Sequence, residues 1–184
     1  MGIVPVSDRG PLPFALVHGE SLVASASFAL EHAGVALVDF NVPWQEVRDS
    51  GRPVVLHDPL CPLAPPEFLA EAVSTCLDTD EVVVGVRPVT DTLKRVEEGT
   101  VGATVDRDAH VVVCSPVVLP AGVVTALPEP PDTGDFALLV ARLREEFDVR
   151  LLEAPALARR VHDEADLAVL ESLSESGAEG ARGP

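Results

Sequence analysis

Short apolar runs separated by segments of helical spacing are the feature that most restricts the fold of this chain. Four runs show no alternation of apolar with polar residues, and they lie at residues 3–6, 35–38, 53–57 and 81–86. In a strand with one solvent-exposed face, apolar and polar residues alternate, whereas a strand covered by helices on both faces is apolar throughout. The pattern therefore predicts an α/β fold, a three-layer α/β/α domain built on a mainly parallel twisted sheet.

The segments between these runs carry helix signals. Ser21 is a good N-cap for a helix that ends before Gly34. Pro65 with Pro66 opens a second helix, because proline loses no hydrogen bond in the first helical position. Both helices fall between predicted strands, an alternation that places helices on the faces of a sheet.

Further along the chain, one segment departs from this alternation. Residues 87–114 contain two strand-like stretches around a charged turn, which predicts a β-arm that protrudes from the domain. An isolated two-stranded ribbon is marginal in water, so we expect a homodimer formed by exchange of the arms. Helical spacing returns at residues 135–147 and 163–173. The chain length suits one domain over residues 1–173, and the small polar residues 174–184 predict a disordered tail.

The net charge of the chain limits the classes of partner that it is expected to bind. Its 30 acidic residues outnumber 13 basic ones, which gives a formal net charge of −17. Such a surface repels polyanions, so we expect neither nucleic acid nor an anionic membrane as a partner. A nucleotide triphosphate is also a polyanion, and a site for one requires a local cluster of arginines or a metal ion.

The cysteines and histidines give no sign of a metal centre. Cys61, Cys76 and Cys114 are odd in number and widely spaced, which is typical of free thiols in a reducing cytoplasm. No two histidines have metal-ligand spacing, and we interpret His57 as a structural residue at a strand end. The N-terminus lacks a secretory pattern and no apolar run is long enough to span a bilayer, so we expect a cytoplasmic protein.

The first strand runs into the segment SDRGPLP at residues 7–13, where an α/β protein commonly holds phosphate. A phosphate loop presents backbone N–H groups, and glycine allows them the closest approach. This segment supplies a single glycine, Pro11 and Pro13 lack an N–H, and Asp8 adds a negative charge. The sequence therefore raises the question of whether the chain binds a nucleotide at all.

Five fragments, in order along the chain, resemble one family. They are LHDPLCP at 56–62, PVTDTLK at 88–94, TVDR at 104–107, SPVV at 115–118 and DLA at 166–168. Their order and spacing are similar to those of the methylerythritol phosphate cytidylyltransferases, which transfer CMP from CTP to methylerythritol phosphate in the non-mevalonate isoprenoid pathway. The resemblance implies the Rossmann-like nucleotidyltransferase fold, with CTP and a sugar phosphate as ligands and Mg²⁺ as the cofactor of an active form.

The resemblance also assigns roles to four residues. Asp58 would face the sugar hydroxyls and the metal-bound phosphate, Arg160 would contact the substrate phosphate, and Thr92 and Arg107 would reach in from the arm of a partner subunit. Two arginines and a hydroxyl suit a monophosphate. Two alternatives stay open, with Asp58 as the cap of a turn before Pro59 and Arg107 as part of a surface ion pair with its aspartate neighbours.

The chain departs from the family pattern where catalysis would occur. Leu12 stands in place of a lysine that faces the triphosphate, and Arg9 is the only cation within reach that could replace it. Cys61 replaces an arginine. The segment before LHDPLCP is shorter than the segment that helps to bind the nucleotide in the family. Ala158 and His162 replace two hydrogen-bonding residues around Arg160.

Two functions follow from these matches and departures. The first is a degenerate relative, a pseudoenzyme that keeps the fold and the dimer and serves as a binding, regulatory or scaffold protein. The second is an active cytidylyltransferase, or another sugar-phosphate nucleotidyltransferase, with Arg9 and Asp58 as its catalytic residues and Mg²⁺ as its cofactor. Loss of one preorganised contact to the developing phosphate charge costs about 3–4 kcal/mol of barrier, so the missing lysine favours the first.

Overall fold

The computed structural model describes residues 1–39, 41–97 and 99–180, with side chains described through residue 175. The strands in this part of the chain are β1 (Gly2–Ile3), β2 (Leu16–Val17), β3 (Glu20–Ser21), β4 (Val54–Leu56), β5 (Val82–Pro88), β6 (Leu93–Glu97), β7 (Thr100–Val105), β8 (Val111–Leu119) and β9 (Val149–Glu153). The α-helices are α1 (Leu22–His32), α2 (Trp44–Asp49), α3 (Pro66–Thr79), α4 (Ala121–Ala126), α5 (Phe136–Glu146) and α6 (Glu164–Gly180).

Five strands form the central sheet, in the order β1-β4-β8-β5-β9. β1 pairs with β4 and β5 pairs with β9 in parallel, whereas β8 lies antiparallel between β4 and β5. Four of the five strands therefore run in one direction, and only β8 runs in the other. This arrangement confirms the mainly parallel sheet predicted from the apolar runs.

Helices cover both faces of the sheet, as expected for strands that are apolar throughout. On one face, α1 and α3 pack Leu30, Leu69 and Ala72 against Val55 and Val83 of the sheet. On the other face, α2, α4 and α5 cover the sheet with Val47, Val123, Phe136, Leu139 and Val140, which pack with Val54, Leu56, Val82, Val84 and Val117.

The first long helix begins and ends at the predicted signals. The side-chain oxygen of Ser21 accepts a hydrogen bond from the backbone N–H of Ala24, which caps α1. The chain leaves the helix through Gly34, whose φ of 77° lies in the left-handed region that glycine adopts without strain. The next long helix, α3, begins at Pro66, as predicted.

β6 and β7 form a separate two-stranded sheet between β5 and β8 in sequence. Within the described residues, neither strand pairs with the central sheet. Apolar side chains of this hairpin face solvent, with Val96 63% and Val101 67% exposed. The hairpin lies in the segment for which the sequence predicted a protruding arm, and exchange of arms between two copies stays a prediction.

Two predicted strands are shorter than expected. The run at 35–38 forms one bridge, between Leu37 and Gly2, through two backbone hydrogen bonds to Gly2. Val35 and Val38 of this run pack into the cores on the two faces of the sheet. The run at 3–6 contributes β1 only through Ile3, since Pro5 has no N–H to continue the ladder.

The C-terminal end of the chain is more helical than predicted. We expected disorder at 174–184, but α6 continues to Gly180, because its glutamate, serine and alanine residues lack a proline that would stop it. Residues 181–184 lie outside the described residues, so the prediction there stays open. Among the helices described, none combines the length and the apolarity needed to cross a bilayer.

The carboxyl end of β4 lies beside β8, and this junction positions the candidate site. β4 leads into His57 and Asp58, while β8 passes through Ser115 and a cis peptide bond to Pro116. Gly85 on β5 allows a close approach, since a Cβ there would lie 2.7 Å from the Ser115 carbonyl oxygen. Ser115 therefore lies close to β5, and its Oγ contacts His57 and Asp58 at the end of β4.

Candidate functional site

Asp58 is a buried carboxylate with both oxygens bonded to arginine. Its side chain is 2% exposed, and Oδ1 accepts a hydrogen bond of 2.8 Å from Nε of Arg9, while Oδ2 accepts one of 2.9 Å from Nε of Arg160. Oδ1 also accepts from the backbone N–H of Leu60 at 3.1 Å, so Asp58 does cap the turn after β4. Burial of this charge requires such partners, because an unpaired buried carboxylate is strongly unfavourable.

Arg9 is held by several groups besides Asp58. Nη1 donates to the Ser7 carbonyl oxygen at 2.8 Å, and Nη2 donates to the Thr133 carbonyl oxygen at 2.7 Å. The guanidinium carbon lies 5.6 Å from the centre of the Phe136 ring, which is a cation–π distance. All three guanidinium nitrogens are engaged, so Arg9 directs its charge to Asp58 rather than to an open site.

The segment 7–13, where the sequence suggested a phosphate loop, folds as a tight turn. Leu12 begins a 3₁₀ turn that runs through Phe14. The Leu12 side chain is partly buried against the apolar cluster that contains Val17, Leu22 and Val161. Leu12, which the resemblance places where the family has a lysine, is therefore part of the packing of this protein.

A cavity of about 280 Å³ lies beside Arg160. Its polar lining consists of three arginines, one histidine, one threonine and one carboxylate: Arg87, Arg159, Arg160, His162, Thr90 and Asp91. A second cavity of about 350 Å³ shares Arg160 and His162 and extends to Gly134 and Asp135 at the start of α5. In a chain of net charge −17, the three arginines make the first cavity a candidate anion site.

Sequence reasoning missed two of these arginines, although the signals were present. Arg87 directly precedes the PVTDTLK fragment, and Arg159 directly precedes Arg160. Arg87 beside a matched fragment, and Arg159 beside the residue to which the resemblance assigns the phosphate contact, already indicate a basic site in an acidic chain.

Arg160 bonds to Asp58 through one edge of its guanidinium group, and the other edge has no partner within the described residues. Its Nε is bonded to Asp58, and within the described residues its two Nη groups make no hydrogen bond. The side chain is 29% exposed and lines both cavities. Its free edge therefore presents N–H donors in the fork geometry that matches a phosphate.

Asp166 fixes two other residues of the cavity. Its Oδ2 accepts the backbone N–H of His162 at 2.9 Å and lies 3.0 Å from Nδ1 of the same residue. The side-chain hydrogen bond from His162 lowers the pKa of Asp166, which keeps the carboxylate ionised. Nη2 of Arg159 lies 3.7 Å from Oδ1 of Asp166.

Thr92 and Arg107, the two arm residues assigned by resemblance, are exposed and lie apart from Asp58. Nη1 of Arg107 donates to the Thr90 carbonyl oxygen at 2.7 Å, and Nε lies 3.8 Å from Oδ1 of Asp108. Within the described residues, no hydrogen bond or ion pair joins either residue to Asp58 or Arg160. The single chain thus brings together Arg9, Asp58 and Arg160, while Arg107 contacts Thr90 at the edge of the cavity beside Arg160.

Behind Asp58 lies a buried polar pair that the sequence did not reveal. Nδ1 of His57 lies 2.5 Å from Oγ of Ser115, which also accepts the backbone N–H of Asp58 at 2.9 Å. The tautomer of His57 decides whether Nδ1 donates to Oγ or accepts from it, and Nε2 is buried with no hydrogen-bond partner within the described residues. Burial lowers the pKa of His57 to about 4, against an opposing effect of Asp58, so the ring is neutral at pH 7.

His57 is expected to make the stability of the protein depend on pH between about 6.5 and about 4. The unfolded chain protonates this residue below its ordinary pKa of 6.5, whereas the folded chain does so only near 4. The free energy of unfolding should therefore fall by about 3 kcal/mol as pH decreases through this window. Urea titrations of the wild type and of His57→Gln at several pH values across this window measure the effect. Other titrating groups affect the free energy of unfolding of both proteins equally, so the difference between the two curves reports His57. Parallel curves for the two proteins would contradict the assignment.

Cys61, which replaces a family arginine, is a buried thiol next to Asp58. All three cysteines, Cys61, Cys76 and Cys114, are free and buried. Burial raises the pKa of Cys61 well above its ordinary value, and Asp58 raises it further. A thiol that stays protonated is a poor nucleophile, so Cys61 contributes packing rather than chemistry.

The residues around Asp58 do not suit a divalent cation. Mg²⁺ prefers oxygen ligands, but both oxygens of Asp58 already lie within 2.9 Å of arginine nitrogens, whose charge opposes a metal ion. In the part of the chain that the structure describes, no three histidine, cysteine or acidic side chains are grouped as metal ligands. The described residues around Asp58 thus offer no fitting ligand set for Mg²⁺, and the cofactor expected of an active form stays a prediction.

Comparison with known proteins identifies the family. The sequence model of the 2-C-methyl-D-erythritol 4-phosphate cytidylyltransferases matches residues 43–172, about 70% of the chain. The chain belongs to this family. The match begins after Arg9 and Leu12, so the altered N-terminal segment lies outside the part that the cytidylyltransferase model covers.

Two curated cytidylyltransferases match parts of the chain. The enzyme of Geobacter metallireducens is 31% identical over 103 residues, which cover 53% of this chain and 44% of that protein. The enzyme of Corynebacterium diphtheriae is 38% identical over 63 residues, which cover 34% of this chain and 26% of that protein. The chain thus matches less than half the length of each of these relatives.

Solved cytidylyltransferase structures share the fold. The enzyme from Thermus thermophilus aligns with a TM-score of 0.68 at 23% identity, covering 95% of this chain and 98% of that one. The 4-diphosphocytidyl-2C-methyl-D-erythritol synthase from Anaerococcus prevotii aligns with a TM-score of 0.65 at 12% identity, covering 95% and 93%. These likenesses confirm the nucleotidyltransferase-like fold.

Proposed function

We propose that this cytidylyltransferase-family chain is a sugar-phosphate-binding protein impaired in cytidylyl transfer. The observation that carries the proposal is the ion triad of Arg9, Asp58 and Arg160. In this triad the only cation of the N-terminal segment neutralises a carboxylate, while Arg160 keeps a free edge on an arginine-lined cavity.

The impairment follows from what transfer requires. As pyrophosphate leaves, negative charge develops on the α- and β-phosphates, and preorganised donors must stabilise it. The N-terminal turn offers the packed side chain of Leu12 and two prolines without N–H groups. Arg9 cannot serve, since its nitrogens are bonded to Asp58, Ser7 and Thr133.

The retained half of the site suits a phosphomonoester. Arg87, Arg159 and Arg160 line one cavity, and arginine forks match the geometry of phosphate oxygens. The exposed valines of the β6–β7 hairpin support a homodimer, because a lone apolar ribbon is marginal in water. In such a dimer, Thr92 and Arg107 of the partner's arm complete the sugar-phosphate site.

An active nucleotidyltransferase is the second candidate, and one observation favours it. The cluster of three arginines is the local positive field that a nucleotide would need in so acidic a chain. Against it stand the packed Leu12 and the poor fit of Mg²⁺ at Asp58. The first candidate therefore explains more of the site.

Calorimetric titration tests the proposal. The purified protein is titrated first with CTP and Mg²⁺ and then with methylerythritol phosphate. We expect heat from the sugar phosphate alone, and at least about tenfold weaker binding by Arg160→Gln, because charge-assisted hydrogen bonds to phosphate are lost. Arg144→Gln, which removes an equal charge from an exposed position on α5, is the matched control and should bind as the wild type does.

Other results would reject the proposal in different ways. Micromolar binding of CTP, accompanied by release of pyrophosphate, would identify an active cytidylyltransferase. Absence of heat from both ligands would exclude the sugar-phosphate site.

A further inference from the structure

We propose that Arg9 is a built-in replacement for a metal ion: it neutralises Asp58, so that Arg160 faces the cavity as a free cation and phosphate binds there without a divalent cation. The inference rests on the proposed function for the location of the ligand. Arg9 itself touches no ligand, and its role is to position and set the charge of the residues that do.

The geometry places Asp58 between two cations. Arg9 contacts Oδ1 at 2.8 Å and Arg160 contacts Oδ2 at 2.9 Å, each through Nε. One carboxylate offsets one positive charge, so the three side chains together carry a net charge of +1. Without Arg9, Asp58 and Arg160 would form a neutral pair, and a phosphate would gain little from approaching it.

Burial makes the charge of Arg9 effective and fixed. Its side chain is 1% exposed, so the interaction with Asp58 is only weakly screened by water. The hydrogen bonds to Ser7 and Thr133 and the Phe136 ring prevent the guanidinium from turning toward solvent.

The arrangement specifies the class of ligand and its conditions. Within the described residues neither Nη group of Arg160 has a hydrogen-bond partner, and Arg160 lines the same cavity as Arg87 and Arg159. A phosphate dianion can pair with these groups directly. A divalent cation would instead meet two arginines at Asp58, so it should neither bind nor assist.

The first test measures phosphate binding with and without metal. Inorganic phosphate and methylerythritol phosphate are each titrated into the wild type and followed by phosphorus NMR, once with Mg²⁺ and once with EDTA. We expect dissociation constants that agree within about twofold between the two conditions. Binding that needs Mg²⁺, or absence of phosphate binding in EDTA, would overturn the inference.

The second test separates the charge of Arg9 from its structural role. Arg9→Gln should weaken inorganic phosphate binding at least about tenfold, whereas Arg9→Lys, which keeps the charge, should bind within about threefold of the wild type. Adding Asp58→Asn to Arg9→Gln removes the carboxylate that then neutralises Arg160, and should restore most of the binding. Arg144→Gln again serves as the equal-charge control.

Each outcome bears on one statement only. If Arg9 only anchors the N-terminal turn, Asp58→Asn will weaken the Arg9→Gln variant further instead of restoring it, and the inference is wrong. Equal binding by Arg9→Gln and the wild type also rejects it, while the proposed sugar-phosphate site survives. If the wild type does not bind methylerythritol phosphate at all, the proposed function itself is wrong.

Discussion

Replacement of Asp58 by asparagine is expected to lower the free energy of unfolding by about 3–5 kcal/mol. The substitution leaves Arg9, whose side chain is 1% exposed, as a buried cation without a counterion. The asparagine carbonyl can still accept from one arginine, but its NH₂ group faces the other with the same sign of charge. Urea denaturation monitored by circular dichroism gives the free energy directly.

Two further variants show whether the loss comes from the triad. Asp78→Asn, at an exposed position on α3, is the matched control and should change stability by less than about 0.5 kcal/mol. The double variant Arg9→Gln with Asp58→Asn removes both charges and should lose less than the sum of the two single losses. A loss below about 1 kcal/mol for Asp58→Asn alone would show that the three side chains are not held as described.

Truncation of Phe136 to alanine should cost about 3–5 kcal/mol. The ring is 6% exposed in the cluster that covers one face of the sheet, and it lies under the guanidinium of Arg9. Its removal therefore leaves a cavity and also takes away a cation–π partner. Thermal and urea unfolding of the variant measure the loss.

Leu138→Ala is the matched control for Phe136→Ala. Leu138 lies two positions further along the same helix and is 57% exposed, so its truncation should cost less than about 0.5 kcal/mol. Similar losses for the two variants would mean that the effect belongs to helix α5 in general and not to packing against the sheet and Arg9.

The fold could be predicted because its signals are local. Each apolar run and each cap, such as Ser21 or Pro66, lies within a few residues of the element that it specifies. The errors also have local causes, since Pro5 shortens the first strand and the absence of a helix-stopping proline lets α6 continue. Family resemblance added the order of the fragments around β4 and β8.

The candidate site was less predictable because its contacts join distant parts of the chain. Asp58 is 49 residues from Arg9 and 102 residues from Arg160. The spacing of apolar residues indicates helices and strands, but it does not indicate contacts between such distant residues. The sequence indicated Arg9 as a cation near phosphate, whereas the fold turns it inward to a carboxylate. His57 and Ser115 likewise meet only because β4 and β8 are neighbours in the sheet.

The long separations within the triad also bear on how the protein is made. A ribosome releases Arg9 and Asp58 early, but Arg160 emerges only after another 102 residues have been added. Until then, the carboxylate has at most one of its two arginines, and both cavities lack the Arg160 side chain that lines them. A chain that ends before this point therefore lacks one of the two arginine partners of Asp58 and one lining residue of both cavities.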